Sequence, residues 1–187
     1  MTLKIKFLVC IALVIFLFSC VEKTEKIGGK FQITENSKKE ADMLVSTDKI
    51  NGLLDSLNIA AAQANFDKYF SYFADNATYN GTDATENWDK KSFMAWAKPY
   101  FDAKITWDFK SVKREIHFGE HDDIAWFEEL LSTQMKICRG SGVVIKQNNK
   151  WKIQQYVLSM TIPNSKLDKV VALKTAEEDS LLRSYKK

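Results

Sequence analysis

A carboxylate and a guanidinium, those of Glu128 and Arg139, lie on neighbouring predicted strands of this chain. Because side chains alternate between the two faces of a strand, Glu128 shares a face with Trp126, and Arg139 shares one with Ser141. A cavity with one carboxylate, one guanidinium and several aromatic rings suits a small amphipathic ligand. The alternative is a cross-strand ion pair between Glu128 and Arg139 that has only a structural role.

The sequence RGSG at residues 139–142 has the composition of a phosphate-binding loop. Such a loop joins a strand to a helix, because the helix N-terminus supplies the anion site. Here three β-branched residues follow, then a turn and another strand, and no G-K-[ST] is present. We therefore predict an ordinary strand in which Gly140 and Gly142 permit sheet curvature or the close approach of another group.

The sequence HFGEH at residues 117–121 matches the H-x-x-E-H pattern of some zinc peptidases. That pattern binds metal only on a helix, where residues four apart share a face. Gly119 and the acidic pair at 122–123 indicate a strand end and a turn instead, and the chain has only two histidines. We predict neither a metal site nor a cofactor.

The elements that position these residues follow from hydrophobic periodicity. Ser46 or Thr47 is the expected cap of a first helix, with an apolar stripe from Ile50 to Ala61. The predicted helices span residues 46–73, with a bend near Asn65; 89–104, with a bend or early end at Pro99; and 165–185. The predicted strands span residues 77–83 with its turn, 105–118, 124–132, 135–146 and 151–162.

Helices precede a run of long strands, an order that predicts an α+β fold with helices on one face of a curved antiparallel sheet. The strands are separated by expected turns at 119–123 and 147–150. In the second turn, QNNK, the asparagines tolerate the left-handed conformation that a tight hairpin requires.

The first 19 residues have a basic start and twelve consecutive apolar residues, from Phe7 to Phe18. That run is shorter than the roughly 20 residues of a membrane-spanning helix and fits a secretory signal. Its end, LFSC, resembles the lipobox of bacterial lipoproteins, which implies lipidation of Cys20 and anchoring at the cell envelope, more at the outer than the inner membrane. Ordinary signal cleavage, giving a soluble periplasmic protein, is the alternative. Residues 20–40 are expected to form a flexible tether, leaving 41–187 as the folded domain.

The net charge argues against one class of binding partner, and the cysteine content argues against an internal disulfide. The net charge is +3, but outside residues 1–19 the chain has 25 basic and 24 acidic side chains. A nearly neutral body lacks the basic field that nucleic acid requires. Once Cys10 leaves with the signal and Cys20 is lipidated, Cys138 has no partner for a disulfide and is expected to be a small buried hydrophobe.

Three segments carry a resemblance to a known family: FDKYFSYFADNATYNGTD, IAWFEELL and RGSGVVIKQNNKWKIQQYVLSMTIPN. In order and spacing, residues 50–164 resemble the SnoaL-like domains of the nuclear-transport-factor-two superfamily. The resemblance implies a cone-shaped barrel, with N-terminal helices on the concave face of a strongly bent sheet. It also implies an apolar pocket at the wide end and a homodimer through the outer sheet faces. The ligand-binding residues predicted on this basis are Phe73, Tyr79, Trp88, Trp126, Glu128, Arg139, Gln155 and Tyr156.

Catalytic relatives that resemble ketosteroid isomerases or polyketide cyclases use a pocket carboxylate as a base. The counterparts of that base here are Glu128 and Asp83, with Tyr79 and Tyr156 as oxyanion donors. Relatives often carry histidines on the closing strand where this chain has Gln155 and Val157, a difference that argues against chemistry. We therefore expect a non-catalytic domain for a small apolar or amphipathic ligand. The alternatives are an isomerase, cyclase or dehydratase, and a module that docks another envelope protein.

Overall fold

The computed structural model describes residues 35–186. Its first helix, α1, spans Glu35–Ala62. The expected caps Ser46 and Thr47 lie inside α1, and residues 35–40 of the predicted tether are helical. Thr47 is accommodated because its hydroxyl donates to the carbonyl of Met43, one turn earlier, at 2.9 Å. The predicted start of the first helix at Ser46 or Thr47 is therefore wrong. The signal segment and Cys20 lie outside the described residues.

The expected bend near Asn65 separates α1 from a short helix, α2 (Phe66–Ser71). Ala64 adopts a positive φ of 51°, and the side chain of Asn65 accepts a hydrogen bond from the Lys68 amide at 3.1 Å. A third helix, α3, spans Lys90–Asp102 and continues three residues past Pro99, so this proline does not end it. The last helix, α4 (Leu167–Ser184), follows a 3₁₀ turn and has no buried residue.

Six strands form one sheet. They are β1 (Phe73–Asn80), β2 (Asn87–Asp89), β3 (Lys110–Phe118), β4 (Ile124–Thr133), β5 (Lys136–Gln147) and β6 (Lys150–Met160). Their order is β2-β1-β6-β5-β4-β3. The β1–β6 pair is parallel and the other four pairs are antiparallel. The predicted α+β class is confirmed. The strand expected from Ile105 begins only at Lys110, and β2 was not predicted.

The turns follow the sequence closely. Asn148 and Asn149 have φ values of 48° and 61°, which confirms the left-handed hairpin turn between β5 and β6. HFGEH is the end of β3 and the turn after it, as predicted. Gly140 and Gly142 lie within β5, so RGSG is strand and not a phosphate loop.

The core lies between the helices and the inner face of the sheet. Ile50, Leu54 and Leu57 of α1 are buried in it together with Phe127 of β4 and Ile153 of β6. Burial of such side chains stabilises the fold by about 1.5–3 kcal/mol each. Within residues 35–186 no helix has the length and hydropathy to cross a membrane. The same residues contain no group of three or more histidine, cysteine or acidic side chains placed to hold a metal ion.

Candidate functional site: an aromatic cavity

A cavity of about 170 Å³ opens beside the end of β1, at the sheet edge that carries β2. Five of its eleven lining residues are aromatic, and they come from separate parts of the sequence. The lining residues are Tyr79, Gly81, Thr82, Glu86, Trp88, Trp96, Trp107, Phe109, Gln134, Met135 and Leu158. An apolar wall with a few polar groups is typical of a small-molecule site.

The three cavity tryptophans are brought together by the junction of β2 and α3. The side chain of Asp89 caps α3 by accepting a hydrogen bond from the Ser92 amide at 2.7 Å. The strand therefore ends at Asp89 and the helix begins with the next residue, one position after the cap and two after Trp88. Trp96, two turns into α3, stacks on Trp88 with ring centroids 4.8 Å apart, and Trp107 lies 6.3 Å from Trp96.

Within residues 35–186, the carboxylate of Glu86 is the one acidic group that lines the cavity. It is half-buried, and its Oε2 accepts a hydrogen bond from the Asp83 amide at 3.2 Å. The backbone of Gly81 donates to the Glu86 carbonyl at 2.9 Å. A Cβ at position 81 would overlap the Glu86 carboxylate. Glycine is therefore required here for the carboxylate to lie against the loop.

Tyr79 forms the floor of the cavity and is supported from below. Its ring stacks on Phe93 at 4.0 Å and lies parallel to the ring of Tyr156 at 5.6 Å, with an interplanar angle of 5°. Burial raises the pKa of Tyr79, and the nearby charge of Glu86 raises it further. The phenol of Tyr79 therefore stays neutral at physiological pH.

Beneath Tyr156 lies a buried ion pair. The Tyr156 hydroxyl donates to Oε1 of Glu129 at 3.0 Å, and Arg114 Nε donates to Oε2 of the same carboxylate at 2.9 Å. Arg114 also donates to Asp55 at 2.9 Å and to the side chain of Asn51 at 3.1 Å, both on α1. Burial, and then the charge of Glu129, raises the pKa of Tyr156 well above its usual value. This network fixes the floor of the cavity to the first helix.

Gly140 makes this arrangement possible. A Cβ at that position would overlap the Tyr156 hydroxyl and would lie 3.0 Å from its Cζ and 3.1 Å from Glu129 Cγ. A Cβ at Gly142 would overlap the Gln155 carbonyl oxygen. Both glycines of RGSG therefore permit close approach, as the sequence predicted.

A sequence model of the SnoaL-like domain matches residues 50–163, well over half of the chain. The chain belongs to the SnoaL-like domain family. The expected relationship to the nuclear-transport-factor-two superfamily is thereby confirmed. A comparison of the chain with curated proteins found no match.

Solved structures share its fold. An NTF2-like protein of unknown function from Pseudomonas putida is 12% identical with a TM-score of 0.53, and the alignment covers 63% of this chain and 87% of that one. A domain with a cystatin-like fold from Nostoc punctiforme is 13% identical with a TM-score of 0.54, covering 76% and 97%. A protein assigned as a scytalone dehydratase from Novosphingobium aromaticivorans is 10% identical with a TM-score of 0.55, covering 66% and 89%. At these identities the similarity shows the fold alone.

Two of the eight predicted ligand residues, Tyr79 and Trp88, line the cavity of this SnoaL-like domain. Tyr156 lies directly behind Tyr79, in the hydrogen bond to Glu129. Phe73 is packed in the core against Phe70 and Phe93, and it does not reach the cavity wall.

Four predicted residues, Trp126, Glu128, Arg139 and Gln155, lie on the outer face of the sheet. Trp126 and Glu128 do share a face of β4, as predicted, but that face is the outer one and not the one that bounds the cavity. Phe127 and Glu129 are the residues of β4 that point inward. Trp126 is 48% exposed and stacks on His117 at 5.8 Å. Glu128 and Arg139 form the ion pair named as the alternative, at 3.8 Å and half exposed to solvent.

Asp83, the other predicted base, is in an exposed loop outside the cavity wall. Its carboxylate accepts hydrogen bonds from the hydroxyl of Thr85 at 2.6 Å and from the Thr85 amide at 2.8 Å. These bonds favour the ionised form and lower the pKa of Asp83, whereas a base near neutral pH needs a raised one.

The sequence reasoning missed Trp96, Trp107 and Glu86 in the wall and the Arg114–Glu129 pair behind it. One signal was available: three of the five tryptophans, at 88, 96 and 107, fall within twenty residues around α3. No pattern in the sequence indicated the partner of Glu129, because Arg114 lies on another strand fifteen residues away.

Proposed function

We propose that this protein is a lipid-anchored SnoaL-like domain that binds a small, largely apolar molecule without transforming it. The observation that carries the proposal is the aromatic cavity, whose wall holds Tyr79, Trp88, Trp96 and Trp107. Its volume of about 170 Å³ is near that of an engineered 150 Å³ cavity that binds benzene. One or two rings, or a branched aliphatic group, match this space.

The ionisable groups around the cavity support binding over catalysis. The Glu129 carboxylate behind it is occupied by Arg114 and Tyr156. Asp83 has a lowered pKa, and Tyr79 has a raised one that keeps its proton in place. Effective general bases have pKa values near the working pH, and neither group is shifted toward it.

Isothermal titration calorimetry with indole and 2-naphthol, two neutral aromatic probes, tests the proposal. We expect saturable binding that weakens about tenfold or more in Trp96→Ala, because that side chain supplies a stacking face worth more than 1 kcal/mol. Trp126→Ala is the matched control, since Trp126 lies on the outer sheet face. The proposal fails if neither these two probes nor a small organic cation binds, or if both variants lose affinity equally.

The second candidate is an isomerase, cyclase or dehydratase. Glu86 favours it, because this carboxylate lies in the cavity wall beside Tyr79, and one similar structure is assigned as a scytalone dehydratase. The expected bases Glu128 and Asp83 are replaced by Glu86 in this proposal. Nuclear magnetic resonance after long incubation with cyclohex-3-en-1-one, whose double bond a base can move into conjugation with the carbonyl, separates the two functions: an unchanged spectrum supports binding alone, whereas a conjugated product that disappears with Glu86→Gln supports an enzyme.

Anchoring through Cys20 rests on the LFSC sequence and the preceding apolar run. A lipidated chain is expected in the membrane fraction, at the outer more than the inner membrane, and metabolically labelled palmitate should be found on it. Cys20→Ala should move the protein to the soluble fraction or leave it unprocessed. Membrane association and labelling that persist in this variant would contradict the assignment.

A homodimer through the outer sheet face is supported by its exposed apolar residues. Ile124, Trp126 and Ile137 are 42%, 48% and 43% exposed. Sedimentation velocity should give a dimer for the folded domain and a monomer for Trp126→Glu, which places a charge on that face. A wild-type chain that sediments as a monomer at tens of micromolar would contradict this contact.

A further inference from the structure

The cavity has a negative wall. Among the described residues, Glu86 is the one carboxylate that lines it, and no described lysine, arginine or histidine does so. Within residues 35–186 no basic side chain lies within ion-pair distance of Glu86, whereas the buried Glu129 has Arg114 as its partner. Among the residues that the structure describes, the one hydrogen-bond partner of the Glu86 side chain is the backbone amide of Asp83.

The aromatic residues add to this negative potential. The face of an aromatic ring carries partial negative charge, which attracts a cation within about 6 Å of the ring centre. Trp88, Trp96 and Trp107 are the strongest such rings, and all three line the cavity together with Tyr79. The negative charge of Glu86 reaches Tyr79, where it contributes to the raised pKa of the phenol.

We propose that the ligand of this cavity carries a positively charged, alkylated nitrogen that lies against the tryptophan rings, with Glu86 as its counter-ion. This inference rests on the proposed function and adds the chemical class of the ligand. An alkylated nitrogen needs no hydrogen-bond acceptor, and its methyl groups can lie against the tryptophan rings that line the cavity.

The test compares choline with 3,3-dimethylbutan-1-ol, which has the same shape with a neutral carbon in place of the charged nitrogen. Calorimetry should show choline binding at least about tenfold more tightly, since cation–π contacts and a counter-ion act on choline alone. Glu86→Gln keeps the size of the side chain and an oxygen for the Asp83 amide, and it should remove this preference. Glu120→Gln, an exposed change in the turn after β3, is the control and should leave the preference intact.

Four results overturn the inference, and they separate it from the proposed function. Equal or tighter binding of the neutral alcohol shows that charge is not recognised, while the cavity remains a binding site. The same holds if neither of these probes binds but indole or 2-naphthol does. If none of the four probes binds, the inference and the proposed function fail together. A preference that survives in Glu86→Gln excludes Glu86 as the counter-ion.

Discussion

Replacing Gly140 by alanine should destabilise the protein strongly, because the new methyl group would occupy the place of the Tyr156 hydroxyl. The phenol must move away, and its hydrogen bond to the buried Glu129 carboxylate is lost. Losing a hydrogen bond to a charged group costs about 1.5–3 kcal/mol, and overpacking the core costs about 1–3 kcal/mol. The free energy of unfolding of Gly140→Ala should therefore fall by about 2.5–6 kcal/mol.

A double-mutant cycle with Tyr156→Phe tests the cause. Tyr156→Phe alone removes the hydroxyl and the hydrogen bond, at a cost of about 1.5–3 kcal/mol. In the double variant the methyl group no longer meets a hydroxyl, and the hydrogen bond is lost only once. The combined cost should therefore be smaller than the sum of the single costs by about 2.5–6 kcal/mol, of which about 1.5–3 is the hydrogen bond counted once and about 1–3 is the relieved overpacking.

Urea unfolding followed by circular dichroism measures all four free energies. Gly52→Ala is the matched control, because no heavy atom lies within 4 Å of its added Cβ and the position is within α1. That change should stabilise the helix by about 0.5–1 kcal/mol. Additive single and double effects, or a Gly140→Ala variant as stable as wild type, would refute the reasoning.

Three further predictions concern the Arg114–Glu129 ion pair, the cavity and the buried tyrosines. Arg114→Met leaves the Glu129 carboxylate buried without a cation, so the free energy of unfolding measured with urea should fall by about 3–5 kcal/mol. The double variant Arg114→Met/Glu129→Leu should recover most of that loss. Equal instability of the single and double variants would contradict the pairing. Asp83→Asn should leave the binding of indole unchanged in calorimetry, because that carboxylate lies outside the cavity wall, and a loss of binding would contradict the site. Stability should fall at alkaline pH, because the folded state raises the pKa of buried tyrosines that lose their protons in the unfolded chain near pH ~10. The free energy of unfolding should be unchanged below pH ~10 and should fall above it by up to about 4 kcal/mol per pH unit for three such groups. Urea unfolding midpoints measured from pH 9 to 11.5 test this. Midpoints that stay constant over that range would contradict the prediction. The three groups are Tyr69, Tyr79 and Tyr156.

The sequence predicts the elements of this fold well where periodicity or turn chemistry is local. The asparagine hairpin, the bend at Asn65 and the strand character of RGSG depend on neighbouring residues alone. The start of α1 was missed, because a threonine within a helix can bond to the preceding turn instead of capping. The strand β2 was missed because three residues are too short for any alternation to be visible.

The face of the sheet that bounds the cavity could not be predicted, and physical reasons explain the error. Both alternating sets of β4 are apolar: Ile124 and Trp126 on one face, Ala125 and Phe127 on the other. On β6 the register shifts opposite Val143 and Val144, so Ile153 and Tyr156 are both buried although they are three residues apart. An irregularity of this kind reverses the alternation, and only the neighbouring strand reveals it. The inward position of the Glu129–Tyr156 pair depends on that long-range register.

A crystal structure of the protein isolated from the membranes of its native host would show whether the aromatic cavity holds a ligand. We expect ligand density in the cavity between Tyr79, Trp88 and Trp96, with its charged or polar end within reach of Glu86. An empty cavity closed by the tryptophan side chains, with a bound molecule or partner on the outer face around Trp126 instead, would contradict it.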